Sequence, residues 1–248
     1  MLRFSSRITK NFAPAGISRL KRWRASPKFP CSSAGKASLN GEIEKLESLD
    51  IIDEILAVVD SIMVARGDLG LAVPIAQVPH IQKELIAKAI QAGKPVVAAT
   101  QMLPSMVENP RPTRAEVSDI ANAVLDGSDA LMLSEESAVG AYPVEAIKVL
   151  AETAEAAEAR LFAQRSPTSL SPIGISTSEA IAHAASLVAL QIKATAIICC
   201  TRTGQTARLI AKYRPGQPLS LSRPRLKRAA AHACLGHPAN SLGRVHID

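Results

Sequence analysis

The chain has 248 residues, 47% apolar but only 3% aromatic, so any core must be built from Ala, Val, Ile and Leu. Its net charge of +7 resides at the ends: residues 1–41 hold nine Lys/Arg and no acid, residues 219–248 hold five basic residues and one acid, and residues 42–218 hold 21 Asp/Glu against 15 Lys/Arg. An acidic, aromatic-poor middle argues against a nucleic-acid interface, and no apolar run reaches the roughly 20 residues that cross a bilayer, so the chain reads as soluble.

Residues 1–41 have no lasting hydrophobic period and fit either a transit peptide or sequence foreign to the domain. Order is expected from Glu42. Ser61–Arg66 reads as a buried strand, and Val78–Ala92 as a helix with apolar residues at helical spacing, stopped by Gly93. Pro95–Thr100 is the next strand. Thr113-Arg114-Ala115-Glu116 is a capping box opening a helix to Leu125, with Gly127 behind it. Ala130–Ser134 is a further strand, and Pro143 opens a helix to about Leu161.

Arg165–Ile175, with Pro167, Pro172 and Gly174, reads as a linker. Ser176–Glu179 reads as a second capping box, with a helix to about Ile192, a strand over Ala194–Cys200 and a helix over Thr203–Tyr213. After Pro218 the pattern dissolves, and residues 219–248 are expected to form an irregular basic tail. The domains are therefore an extension (1–41), a first βα domain (42–165), an incomplete second one (172–218) and the tail. Cys31, Cys199, Cys200 and Cys234 form no CxxC pair and read as buried free thiols.

Strand starts recur about every 34 residues, the size of a βα unit. Short apolar strands without alternation imply a parallel sheet covered on both faces, which fits a (β/α)8 barrel or a doubly wound sheet. The strands end in polar residues: Ala65-Arg66-Gly67-Asp68, Thr100-Gln101 and Ser134-Glu135-Glu136. On a barrel these ends share one face. Carboxylates there suit Mg²⁺, and a turn at Gly67 offers amides to an anion. Glu44 is a candidate second carboxylate. Ordinary polar strand ends account for the same residues. Arg66-Gly67-Asp68 also spells a cell-adhesion tripeptide, a reading that needs an exposed loop.

The blocks Ser61–Leu71 (SIMVARGDLGL), Gly93–Met102 (GKPVVAATQM), Asn109–Gly127 (NPRPTRAEVSDIANAVLDG) and Leu131–Pro143 (LMLSEESAVGAYP) resemble consecutive blocks of the pyruvate kinase family, in order and spacing, over about residues 42–218. The resemblance implies a partial (β/α)8 TIM-type barrel of about three and a half strands, followed by an incomplete αβ C-terminal domain. It implies phosphoryl transfer between phosphoenolpyruvate and ADP, giving pyruvate and ATP, with Mg²⁺ (or Mn²⁺) and K⁺. By position, Glu44 and Asp68 match the metal carboxylates. Ala65, Arg66, Gly67 and Asp68 match the loop that holds the substrate carboxylate, Thr100 and Arg66 the catalytic positions, and Ser134 a rim serine on the nucleotide side. Thr201, Thr203, Gly204 and Thr206 resemble an effector-phosphate loop at a helix N-terminus, although an ordinary capped strand-helix turn is the favoured account of them.

Two departures matter. The family has a lysine where this chain has Glu42, and Ser38–Gly41 does not read as the rest of that strand. The family's earlier strands, K⁺ and nucleotide ligands and lid have no counterpart in residues 1–41, so the chain reads as a truncated or misassembled gene product and a poor catalyst. The resemblance also implies a homo-oligomer, or pairing with a full-length homologue, and a cytoplasmic setting, with plastid or mitochondrion as the alternative if residues 1–41 are a transit peptide.

Overall fold

The computed structural model describes residues 39–164 and 176–222. The linker expected over 165–175, Cys31 and Cys234 lie outside them. The chain divides into two compact units at Val149–Leu150.

In the first unit, β1 (Asn40–Ile43), β2 (Ser61–Ala65), β3 (Val96–Ala99) and β4 (Ala130–Met132) form one sheet in the order β1-β2-β3-β4, every pair parallel. Four strands replace the expected three and a half. The strand β1 begins at Asn40, ahead of Glu42, which corrects the reading of Asn40 and Gly41. Asn40 and Gly41 are poor strand formers, but they pair with Ser61 and Ile62, and the Leu39 amide donates to Asp60 Oδ2 at 2.9 Å. Tertiary pairing here overrides local preference.

Each connection is helical: α1 (Leu46–Asp50) and α2 (Ile52–Val58), then α3 (Arg66–Ala72) and α4 (Val78–Gln91), then α5 (Arg114–Asp126). After β4 come α6 (Glu135–Ala138) and α7 (Pro143–Gln164). One face of the sheet meets these helices: Ile43, Ile62, Val64 and Val96 pack with Ile55, Leu56, Leu85, Ile86 and Ala89 in one core. By the two-residue period of a strand, Glu42, Met63, Ala65, Val97 and Ala99 face the other side. Met63, Ala65 and Ala99 are buried there too, while Glu42 and Val97 are half-buried.

The Thr113 capping box is present. Glu116 N–H donates to Thr113 Oγ1 at 3.3 Å and Thr113 N–H donates to Glu116 Oε2 at 2.6 Å. The same carboxylate accepts from Ser105 N–H at 2.8 Å and from Ser105 Oγ at 2.6 Å, which pins a 3₁₀ turn, Pro104–Val107, to the start of α5. Gly127 closes α5 at φ +103°, a left-handed cap that suits glycine.

The second unit holds α8 (Thr177–Gln191), β5 (Ile197–Cys200), α9 (Gln205–Lys212) and β6 (Leu219–Ser222). β6 pairs in parallel with β5, so the pattern does not dissolve at Pro218, and residues 219–222 belong to a strand rather than an irregular tail. Leu219 and Leu221 pack against Ala182, Cys199, Ala207 and Ile210. Ser176 caps α8 by accepting from Glu179 N–H at 3.3 Å, but this is half a capping box. The Glu179 carboxylate turns instead to Lys212 Nζ at 2.5 Å and Tyr213 OH at 3.3 Å. Cys199 is a buried free thiol, as expected, while Cys200 is exposed. Burial, then neighbouring Cys200, pushes the Cys199 thiol up. No helix among the described residues is long and apolar enough to cross a membrane.

Burial alone would raise the Glu116 carboxyl, but the four hydrogen bonds from Ser105 and Thr113 outweigh it and hold the group below the usual glutamate range. A depressed folded-state value stabilises fully above the unfolded value and loses that effect as pH falls through the folded one. Glu116→Gln is therefore expected to lower stability by about 1–2 kcal/mol at neutral pH. Urea midpoints of the two proteins should converge as pH drops toward about 3.

Candidate functional site at the strand ends

The register aligns the C-terminal ends of the four strands. Ile43 pairs with Val64, Ala65 with Ala99, and Ala99 with Met132. Glu44 therefore stands level with Ala65, one residue beyond the last pair of β1. Arg66 and Thr100 follow the ends of β2 and β3, and Ser134 follows β4. The sequence-predicted rim residues of the first unit are thus brought to one edge of the sheet.

Asp68 lies in the first turn of α3 and is exposed, while Glu44 is half-buried. The short helix α3 was not expected. Arg66-Gly67-Asp68 carries no capping side chain, and the helix starts directly from the strand end at Ala65. The adhesion reading fails on the same geometry, because the Arg66 side chain is only 7% exposed.

Thr100 and Gln101 occupy the left-handed region at φ +65° and +53°. For two non-glycine residues, one of them β-branched, this costs about 1–3 kcal/mol each. Gly67 N–H donates to Thr100 Oγ1 at 2.8 Å, and that hydroxyl donates to Ala99 O at 2.7 Å. A Cβ at Gly67 would sit 3.4 Å from Thr100 Oγ1, in van der Waals contact with it. The Arg66 guanidinium does not reach outward. Nη2 donates to Thr100 O at 2.8 Å and Gln101 O at 3.2 Å, and Nη1 donates to Asp119 Oδ2 at 2.5 Å and Gln82 Oε1 at 3.4 Å. What Arg66 offers a ligand is its backbone.

Ser134 is half-buried, and its amide donates to Glu136 Oε2 at 2.8 Å. Glu136 Oε1 accepts from Leu103 N–H at 2.9 Å, so one carboxylate, in a residue 2% exposed, ties the loop after β3 to the loop after β4. Gly140 passes against this turn: a Cβ there would lie 2.6 Å from Glu136 O, which only glycine avoids.

Sequence reading missed Glu136, Gln82 and Asp119 as supports of the site. Gln82 carried a signal, since it sits between Val78, Leu85 and Ile86 on the buried face of α4, where a polar side chain needs a buried partner.

In the second unit, Thr201 is buried and Gly204 caps α9 at φ +85°. Gly204 N–H donates to Thr201 Oγ1 at 3.0 Å and Gln205 N–H donates to Thr203 Oγ1 at 3.4 Å. The loop's own hydroxyls thus take two amides that an anion would use, and Thr206 lies in the first turn of α9.

Among the described residues no three His, Cys, Asp or Glu side chains form a metal cluster. The donor chemistry still fits Mg²⁺, which binds through one or two carboxylates and completes its shell with water and substrate oxygens. Glu44 follows β1, and Asp68 lies in the first turn after the neighbouring strand β2.

Fold and rim define a parallel α/β barrel-type protein with its polar site at the strand C-termini. The family model for the pyruvate kinase barrel domain matches residues 32–147, and that for the pyruvate kinase alpha/beta domain matches 179–236. Both extend past the sequence blocks quoted above. A pyruvate kinase of Sporosarcina psychrophila is 51% identical over 179 residues, 72% of this chain and 30% of that protein. Pyruvate kinase 2 of Saccharomyces cerevisiae is 51% identical over 183 residues, 73% of this chain and 36% of that protein. The crystal structure of a pyruvate kinase from Cryptosporidium parvum superposes with a TM-score of 0.77 at 38% identity, covering 89% of this chain and 46% of that one. The chain belongs to the pyruvate kinase family. It spans about a third of the length of the curated relatives it matches.

Glu136→Ala would strand two amides, Leu103 and Ser134, at about 1–3 kcal/mol each. The expected result is a lower urea midpoint, together with faster hydrogen exchange at those two amides than at the amides of α4.

Proposed function

We propose that this chain carries the metal- and enolate-facing side of a pyruvate kinase site and serves phosphoryl transfer from phosphoenolpyruvate to ADP. One observation carries the reading: four consecutive parallel strands end together at Glu44, Ala65–Asp68, Thr100 and Ser134. Glu44 and Asp68 would hold Mg²⁺ (or Mn²⁺), which when bound would supply positive charge to the enolate and the moving phosphoryl group. The amides of the first turn of α3 orient the substrate carboxylate. The phosphoryl group leaves the enol oxygen for the terminal phosphate oxygen of ADP. The methylene carbon then takes a proton from solvent on the face assigned to Thr100 Oγ1, giving pyruvate and ATP. Ser134 sits on the nucleotide side of the rim. K⁺ is the family's second cation and has no ligand assigned on this chain. The setting for the reaction is the cytoplasm.

Glu42 lies on the same face of β1 as Glu44, two residues earlier. The family resemblance puts a lysine there, and a carboxylate repels a transferring phosphoryl group. This lowers turnover. It also favours a second reading, a non-catalytic subunit that pairs with a full-length homologue. Co-purification with that homologue would support the pairing.

A coupled assay for pyruvate on the purified chain is expected to give slow, Mg²⁺-dependent turnover that Asp68→Ala abolishes and Glu42→Lys raises at least about tenfold. Folded protein with no turnover in either the wild type or Glu42→Lys would overturn catalysis and leave the pairing role.

A further inference from the structure

We propose that Arg66 is a positioning residue, whose guanidinium holds the peptides of Thr100 and Gln101 in the left-handed turn that sets the Thr100 hydroxyl at the rim. The role given to Thr100 rests on the reading above, whereas the grip of Arg66 on the turn does not.

In an extended strand successive carbonyls point to opposite sides, so a single side chain cannot reach two of them. A pair of left-handed residues aims both the same way. Arg66 fits that arrangement: Nη2 donates to Thr100 O at 2.8 Å and to Gln101 O at 3.2 Å, while Nε donates to Thr100 O at 3.3 Å. The guanidinium is planar and rigid, so bonds from two of its nitrogens fix a direction as well as a distance. Nη1 is anchored from behind by Asp119 on α5 and Gln82 on α4. Nη2 also lies 3.3 Å from Met102 Sδ. The next residue, Gly67, grips the Thr100 side chain, its amide donating to Oγ1 at 2.8 Å. The β2–α3 junction thus holds Thr100 by backbone and hydroxyl together, and opposes the tendency of a β-branched residue to leave positive φ.

The alternative is a guanidinium that pairs with Asp119 only to bury a charge. A lysine would keep such a pair but would lose the fork on the two carbonyls.

The test uses the full chain with threonine methyl and backbone amide labels, comparing wild type with Arg66→Lys and Arg66→Met by NMR. The Thr100 methyl and the Thr100 and Gln101 amide signals are expected to shift and broaden in both variants, with signals of α4 and the other strands in place. In the pyruvate assay, Arg66→Lys should lower kcat by about tenfold or more while KM for phosphoenolpyruvate changes by less than about threefold. Unmoved Thr100 and Gln101 signals in a folded Arg66→Lys protein would overturn the proposal, as would a change confined to KM. Should Arg66→Met fail to fold, Arg66→Lys, which keeps the charge opposite Asp119, decides. A wild type without turnover counts against the catalytic reading alone, and the NMR comparison still decides the role of Arg66.

Discussion

Parallel pairing of β1 to β4 in unbroken order is the constraint on which the rest of the first unit depends. It requires a helical return after each strand, which generates α2, α4 and α5, and α2 and α4 share one core with Ile43, Ile62, Val64 and Val96. It also fixes direction. Because every strand points the same way, every strand end arrives at one edge, and residues separated by dozens of positions become neighbours. Glu44, Asp68, Thr100 and Ser134 owe their proximity to this register and not to any local motif.

The rim is held from behind by buried charges that touch no solvent-side chemistry. Arg66 pulls the Thr100 turn toward α4 and α5, and Glu136 ties the following loop to Ser134. Each of these charged groups is hydrogen-bonded, as a buried charge must be. The arrangement separates tasks: Asp68 is exposed and Glu44 half-buried, while Arg66 and Glu136 fix the backbone after β3 and β4.

Much of this was legible in the sequence where local chemistry is decisive. The Thr113–Glu116 capping box, the Gly127 stop and the apolar stripe of Val78–Gln91 state their own structure. What stayed hidden depends on distant partners. Asn40-Gly41 has no strand preference and becomes β1 through pairing with Ser61 and Ile62. Leu219–Ser222 lies at the edge of a basic stretch, and only the β5 partner makes it a strand. Thr100 and Gln101 carry no glycine to announce positive φ, and the arginine that holds them sits 34 positions earlier. Ser176–Glu179 shows the converse: the capping pattern is present, but Lys212 and Tyr213 claim the carboxylate.

Glu44 and Asp68 are the proposed divalent-cation pair at the rim. Titration of the full chain with Mn²⁺, followed by electron paramagnetic resonance with and without phosphoenolpyruvate, tests it most directly. Phosphoenolpyruvate is expected to tighten the Mn²⁺ site, and Glu44→Gln and Asp68→Asn are each expected to weaken it by about tenfold or more. Mn²⁺ binding that neither substitution changes would contradict this assignment.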